Sequence, residues 1–299
     1  MRETCVIGGS RYFGKRLVVR LIESGVKVTV INRGSRDVPD GVTHLVADRN
    51  DEAALNMVLG DREFDVVIDQ ICYTPQQAAI AKRVFAGRTG RYVMTSTMEV
   101  YDPATSQAIR PARPGLPLTE SAVDPAGWPV DLDQSYEYRY AEGKRQAEAV
   151  FTQDPAFPYV SVRSAHVIGG ADDFTDRLSH YIGRVRAGEP IAVHREIYPT
   201  TFISHHEIVE FLDWAARADF TGPVNAASHT PLNVIELSDI VALGCGGAAT
   251  YVETDAENAS PFSFDRYYPM SNSRAESLGF HFSRVTEWLP ATVEESRHA

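Results

Sequence analysis

The chain has 299 residues, 43% hydrophobic and 23% charged, the composition of an ordinary soluble globular protein with room for one large α/β domain or a domain plus a smaller lobe. A formal net charge of -11 with dispersed basic residues leaves no docking surface for DNA or RNA, although a small anionic ligand needs only a local site. Cys5, Cys72 and Cys245 are far apart and lack ligand spacing, which predicts a reducing cytoplasm without disulfides or structural zinc.

MRET runs straight into CVIGG, so no secretion signal is expected, and the apolar runs are too short to span a bilayer. TCVIGG reads as a first strand. GKRLVVRLIES follows as a helix with Leu17, Leu21 and Ile22 at helical spacing, then Gly25 as a stop and VKVTVIN as a second strand. THLVAD, FDVVIDQI and RYVMTST repeat the strand pattern, separated by the helical DEAALNMVL and PQQAAIAKRVFA. Such alternation predicts βαβ units and a Rossmann-type, doubly wound parallel sheet.

From Asp102 to Gln134 the pattern dissolves around Pro103, Pro111, Pro114, Pro117, Pro125 and Pro129, either a lid or binding loop or a solvated surface excursion. Helical pattern resumes at SYEYRYAEGKRQAEAVF. It is followed by a buried strand YVSVRSAHVIG, a helix over RLSHYIGRVRAG, an apolar TFIS and a helix HEIVEFLDWAARA. A tail rich in Pro, Gly and Ser from about Pro231 reads as part of a smaller lobe. The expected division is a dinucleotide-binding domain of residues 1–163 plus about 196–228, and a C-terminal substrate-binding lobe of about 164–195 plus 229–299.

The stretch IGGSRYFG, Ile7 to Gly14, sits where a strand turns into a helix and where backbone N–H groups and a helix dipole can meet a pyrophosphate. Gly8 and Gly9 supply the tight turn, Gly14 the close helix packing, and Ser10, Arg11, Tyr12 and Phe13 complete the expected cofactor contacts. The usual middle glycine is Arg11. The second strand ends Ile31, Asn32, Arg33, Gly34, with no carboxylate to accept the adenosine ribose hydroxyls. Arg33 can pair with a 2′-phosphate and Arg11 can approach it from the first loop. NADP(H) is therefore favoured and NAD(H) is the alternative, unless Arg11 is merely solvated and Arg33 pairs with a nearby acid.

RYVMTSTMEVYD places Ser96, Thr97, Glu99 and Tyr101 at a strand end, where doubly wound sheets bind ligands. SYEYRYAEGK places Tyr140 and Lys144 four apart on one helix face, with Tyr136 and Tyr138 read as packing residues. Hydride chemistry at a carbon bearing oxygen needs a proton donor or acceptor, and a lysine ammonium beside a tyrosine favours its phenolate. Thr97 would hydrogen-bond the same oxygen. Glu99 would be a second base at the neighbouring carbon, opening elimination or epimerisation, or would simply hold the following loop. His205, His206 and Glu207 look like ligands, but neighbouring side chains diverge and no distant partner stands at metal spacing, so no metal is expected.

Over almost the whole chain these residues resemble the extended short-chain dehydrogenase/reductases of the epimerase/dehydratase group. IGGSRYFG is similar to that group's TGGxGFIG, STMEVY to STxEVYG, YAEGK to YxxxK and VRSAHVIGG to RxxNVYGP. GGSRYFG, VINRG, ADRND and FDVVIDQICYTP most resemble an atypical subgroup related to chloroplast stem-loop RNA-binding proteins. The resemblance implies Tyr140 as catalytic base or acid, Lys144 as its activator and ribose anchor, Thr97 at the Ser/Thr position and Glu99 at the dehydratase glutamate. It places Asp48 at the adenine, with Arg49 beside it, and Gln70 near the cofactor ribose or phosphates.

Three positions depart from the family pattern. His166 replaces the asparagine that helps hold a nucleotide-sugar diphosphate, Pro199 to Phe202 lack the arginine of another diphosphate contact, and Met98 stands where dehydratases place an acid. Arg177, Arg184, Arg186 and Arg195 are candidate replacements.

The implied activity is NAD(P)-dependent hydride transfer on a sugar nucleotide or glycosylated small molecule. An NADPH-dependent ketoreductase of a natural-product ketone is the alternative, and a non-catalytic nucleotide sensor or RNA binder is an alternative of another class. The expected partner is a small molecule rather than nucleic acid or membrane, and a homodimer is usual in the family.

Overall fold

Short apolar strands joined by helices bury both sheet faces only when each connection crosses over the sheet, so the strands run parallel. A computed structural model describes residues 2–135, 139–170 and 172–297. In order, its strands and helices are β1 (Glu3–Ile7), α1 (Tyr12–Glu23), β2 (Lys27–Asn32), β3 (Thr43–Val46), α2 (Glu52–Leu59), β4 (Val66–Asp69), α3 (Pro75–Phe85) and β5 (Tyr92–Thr97). There follow α4 (Tyr140–Thr152), β6 (Tyr159–Ser164), β7 (His166–Ile168), α5 (Arg177–Ala187), β8 (Ile191–Val193), β9 (Phe202–Ser204) and α6 (His205–Ala215). The chain closes with β10 (Gly222–Ala226), α7 (Val234–Cys245), β11 (Tyr251–Glu253), α8 (Ser273–Ser277) and α9 (Val285–Ser296). Tyr136 and Tyr138 lie outside the described residues.

The chain divides into two compact units. The first comprises Met1–Ile109, Glu120–Ser164 and Val209–Val224. Its sheet has the order β10-β6-β5-β4-β1-β2-β3, with parallel pairing from β6 through β3. The reversal of strand order lies between β1 and β4, where this fold opens a crevice for ligands. Beneath one face, Ile7, Ile31, Val67, Phe85, Tyr92 and Phe151 form a fully buried core. No described helix is long and apolar enough to cross a membrane.

The second unit comprises Arg110–Thr119, Ala165–Ile208 and Asn225–Ala299. It packs α5, α7 and α9 around Tyr181, Phe202, Leu237, Phe262 and Leu289, with the parallel pairs β7/β9 and β8/β11. YVSVRSAHVIG, expected as one strand, breaks at Ala165: β6 stays in the large sheet while β7 pairs with β9. For the same reason 196–208, expected with the sheet domain, falls in the second unit. The excursion 110–119 joins it as well, through the bridge of Leu118 to Met270.

Candidate active site

The turn from β1 into α1 is built on positive backbone angles at Gly8 (φ 98) and Gly9 (φ 74), which only glycine adopts without strain. A Cβ on Gly9 would stand 2.9 Å from Val6 and 3.0 Å from Val18, so the turn also packs against the core. Arg11 is extended (φ -140, ψ 156), and the position needs no glycine. The strained residue is Tyr12, at φ 49 and 4% exposed.

At Gly14 a Cβ would lie 2.1 Å from Oε1 of Gln70, whose backbone N–H bonds the Ile7 carbonyl. The Nε2 of Gln70 is buried and has no hydrogen-bond partner among the described residues. The first turn of α1 carries neither a side-chain cap nor an acidic residue. A glycine-lined cradle, a buried amide donor and an uncapped helix start together fit the diphosphate of a dinucleotide.

The loop is tied to the end of β2. Asn32 Nδ2 donates to Ser10 Oγ at 2.8 Å, while its Oδ1 accepts from Gly34 N at 2.7 Å and lies 2.9 Å from His44 Nε2. Arg33 is exposed, and among the described residues it makes no ion pair. Asp48 accepts from the backbone and side-chain nitrogens of Asn50, both at 2.8 Å.

Arg49, expected among the cofactor contacts, turns inward instead. It is 6% exposed, lies 2.9 Å from Asp69 and donates to the Gln77 carbonyl at 3.1 Å. Asp69 also accepts from the Tyr92 hydroxyl at 2.6 Å and from Ile71 N at 3.0 Å. A fully buried carboxylate is tolerable only with partners of this kind, and supplying them occupies Arg49.

At the end of β5, Thr97 caps a 3₁₀ turn over Met98–Tyr101, its Oγ1 accepting from Glu99 N at 3.2 Å. With that lone pair engaged, its own hydrogen stays available for donation. Tyr140 opens α4 and is 46% exposed. One turn on, Lys144 is 2% exposed; its Nζ donates to the Thr95 carbonyl at 2.7 Å and lies 5.7 Å from the Tyr140 ring centroid. Burial lowers the Lys144 pKa to about 8; Cys72 and Asp69 oppose that shift and Arg49 adds to it.

Tyr73, which nothing in the sequence singled out, lies closer to Lys144, 4.7 Å from Nζ to its centroid and 6.0 Å from the Tyr140 ring. Thr97, Glu99, Tyr140 and Lys144 thus share the carboxyl end of the sheet with the glycine turn.

Ser96 and Tyr101 serve packing. Ser96 donates to Glu148 at 2.6 Å, and Tyr101, its pKa pushed up to about 12 by burial, accepts from Arg163 at 2.9 Å. The fully buried Arg163 pairs with Glu148 at 2.6 Å and donates to the carbonyls of Glu120 and Val123, both at 2.9 Å. Arg145, equally buried, donates to the carbonyls of Val100 at 2.7 Å and Asp102 at 3.2 Å and to the Thr105 hydroxyl. Arg145 therefore holds the start of the proline-rich stretch and Arg163 its middle. Sequence periodicity carries no signal for such contacts, because both sit on elements whose patterning is satisfied without them.

In the second unit, His166 stacks on Phe264 with centroids 5.6 Å apart, and Arg177 donates to its Nδ1 at 3.4 Å. Burial, reinforced by Arg177, lowers the His166 pKa to about 3 and keeps the ring neutral. Arg184 bonds the Pro190 carbonyl at 2.8 Å, Arg186 bonds the Arg297 carbonyl at 2.7 Å, and Arg195 pairs with Glu253 at 3.7 Å. Of the four candidate arginines, Arg177 is the one beside His166.

His205 and His206 do not diverge as expected. Their ring centroids are 3.9 Å apart, and a carboxylate reaches them from Glu295, while Glu207 accepts from Ser228 and Ser283 instead.

Comparison with known proteins adds independent findings. The family model described as the NAD dependent epimerase/dehydratase family matches residues 4–226. A curated 2′-dehydrokanamycin reductase of Streptomyces kanamyceticus is 28% identical over 144 residues, a match spanning 48% of this chain and 40% of that protein's length.

Among solved structures, UDP-glucose 4-epimerase of Thermotoga maritima with UDP-glucose superposes with a TM-score of 0.74 at 16% identity, covering 99% of each chain. The dTDP-glucose 4,6-dehydratase of Bacillus anthracis with NAD gives 0.73 at 13% identity, covering 100% of this chain and 97% of that one. UDP-glucose 4-epimerase of Thermus thermophilus with NAD gives 0.73 at 18% identity and covers 99% of each chain. At these identities the structural likeness speaks to the fold.

Proposed function

Because the chain belongs to the NAD dependent epimerase/dehydratase family, we propose that this enzyme transfers hydride at a secondary alcohol or ketone carbon of a sugar nucleotide or glycosylated small molecule. The observation that carries the reading is the buried Lys144 beside Tyr140 on α4, with Thr97 at the end of β5. Gly8, Gly9, Ser10, Gly14 and Gln70 would hold the diphosphate, Asp48 the adenine end, and Arg11 and Arg33 a 2′-phosphate, which favours NADP(H) over NAD(H). Bound there, the nicotinamide supplies hydride acceptance and donation.

The chain supplies the proton chemistry. The Lys144 ammonium stabilises a Tyr140 phenolate, which takes the substrate hydroxyl proton in oxidation and returns it in reduction. Thr97 donates its hydrogen to the same oxygen. Glu99 stands two residues further, in the 3₁₀ turn, and serves as base for the proton on the adjoining carbon.

A second reading, net reduction of a natural-product ketone, has its own support. The diphosphate-holding asparagine of the family pattern is here a neutral histidine among phenylalanines, and the curated relative is named as a reductase. Family membership argues for catalysis in either case and against a pure sensor or RNA binder. Cofactor stoichiometry separates the two. An epimerase or dehydratase regenerates its cofactor in each turnover, whereas one NADPH consumed per product, with no epimerised or eliminated product, would retire the first reading. Tyr140→Phe should abolish turnover in both while cofactor binding persists.

A further inference from the structure

We propose that His205, His206 and Glu295 form a binding site for a divalent d-block cation of the zinc class. The site shares no residue with those assigned to cofactor and proton transfer, and it does not depend on that assignment. Two consecutive histidines open α6 directly after β9, and Glu295 projects from the last turn of α9, so the three donors converge through folding rather than through sequence spacing. One ligand atom from each lies within 4.8 Å of the others, and His205 Nε2 is 4.0 Å from Glu295 Oε2.

A tetrahedral zinc with bonds of roughly 2.0–2.2 Å brings ligand atoms to about 3.3 Å from one another. The remaining contraction is at most about 1.5 Å, and the exposed His206 and Glu295 side chains can supply it by rotation. His205, 0% exposed, provides the fixed point. Its position depends on Gly169, where a Cβ would fall 2.9 Å from His205 Nδ1 and 2.2 Å from Thr292 of α9.

Two imidazoles and one carboxylate suit zinc, cobalt, nickel or copper rather than magnesium or calcium, which prefer all-oxygen sites. Three protein ligands leave a coordination position for water. The start of α6 places the positive end of its dipole near the cation, and the carbonyl end of α9 together with the Glu295 charge offsets it.

The test uses the full-length, tag-free chain, stripped with chelator and titrated with zinc alone by calorimetry. Elemental analysis then follows gel filtration, and cobalt substitution is read by visible absorption. One equivalent of zinc, a visible cobalt band and a zinc-dependent rise in melting temperature are expected. His206→Ala and Glu295→Gln, both at exposed positions, should each weaken zinc binding by at least about tenfold and abolish the melting shift while leaving NADPH binding unchanged. Substoichiometric zinc, or zinc affinity that survives both substitutions, would mean an adventitious ion only and would overturn the site.

Discussion

The ammonium of Lys144 donates to the Thr95 carbonyl at 2.7 Å and lies 4.7 Å from the centroid of the Tyr73 ring, a cation gripped between a backbone acceptor and an aromatic face. Burial lowers its pKa to about 8, so raising the pH through that value strips the charge. NADPH affinity should fall over this interval, and Lys144→Met should bind more weakly and lose the pH dependence; fluorescence titration at a series of pH values reads both. The stability sign follows from a folded pKa below the unfolded one. The contribution is present above the ordinary lysine value and lost as pH falls through about 8, so urea midpoints should gain from this group between those limits and Lys144→Met should remove that gain.

Glu99 and Tyr140 should separate by reaction type. Loss of the Tyr140 hydroxyl removes proton transfer at oxygen and should lower any turnover by about 10²–10⁴-fold. Glu99→Gln should suppress epimerised or eliminated product by a similar factor and leave simple ketone reduction nearly intact. Equal losses in both reactions would assign Glu99 to holding the loop.

Glu148 and Arg163 are both 0% exposed and 2.6 Å apart, so breaking one side strands a buried charge. Glu148→Gln should cost about 3–5 kcal/mol, and Glu148→Leu combined with Arg163→Met should recover much of it. Burial pushes the Glu148 carboxyl up, but the Arg163 charge and the hydrogen bonds from Arg163 and Ser96 outweigh it and hold the carboxyl below the ordinary value. Its stabilisation is therefore complete above the unfolded carboxylate pKa and lost as pH falls through the lower folded value. Acid unfolding of the wild type against the double variant measures that share.

Arg11→Ala and Arg33→Ala should each reduce NADP(H) affinity by roughly tenfold or more while sparing NAD(H), since a charge-assisted hydrogen bond to phosphate contributes about 1.5–3 kcal/mol. A preference for NAD(H) unaffected by either change would return both to ordinary surface side chains.

Gly9→Ala should destabilise the chain by about 1–3 kcal/mol through its positive φ and its approach to Val6 and Val18. Arg11→Gly should bring no gain, because the residue is already extended. Chemical denaturation compares the two.

The alternation of strands and helices was legible because periodicity records which faces are buried, and the Tyr140 and Lys144 pair because four residues make one helical turn. Contacts made across the fold left no such trace. Nothing in ADRND shows that Arg49 turns inward, since the reason is Asp69 on another strand. Tyr73 reaches Lys144 only once β4 and α4 are assembled. His205 and His206 show no partner at ligand spacing in the sequence, because the carboxylate beside them, that of Glu295, lies some ninety residues away on another helix.

Arg145 ties Val100, Asp102 and Thr105 to α4 at the point where the proline-rich stretch departs from the sheet. Fixing a residue's backbone forfeits roughly 1–2 kcal/mol of conformational entropy. Here that loss falls on folding, not on ligand capture, so a molecule arriving against this segment meets a preorganised wall and faces no further ordering penalty there. Arg145→Ala should therefore act remotely, weakening association by slowing arrival more than by hastening release.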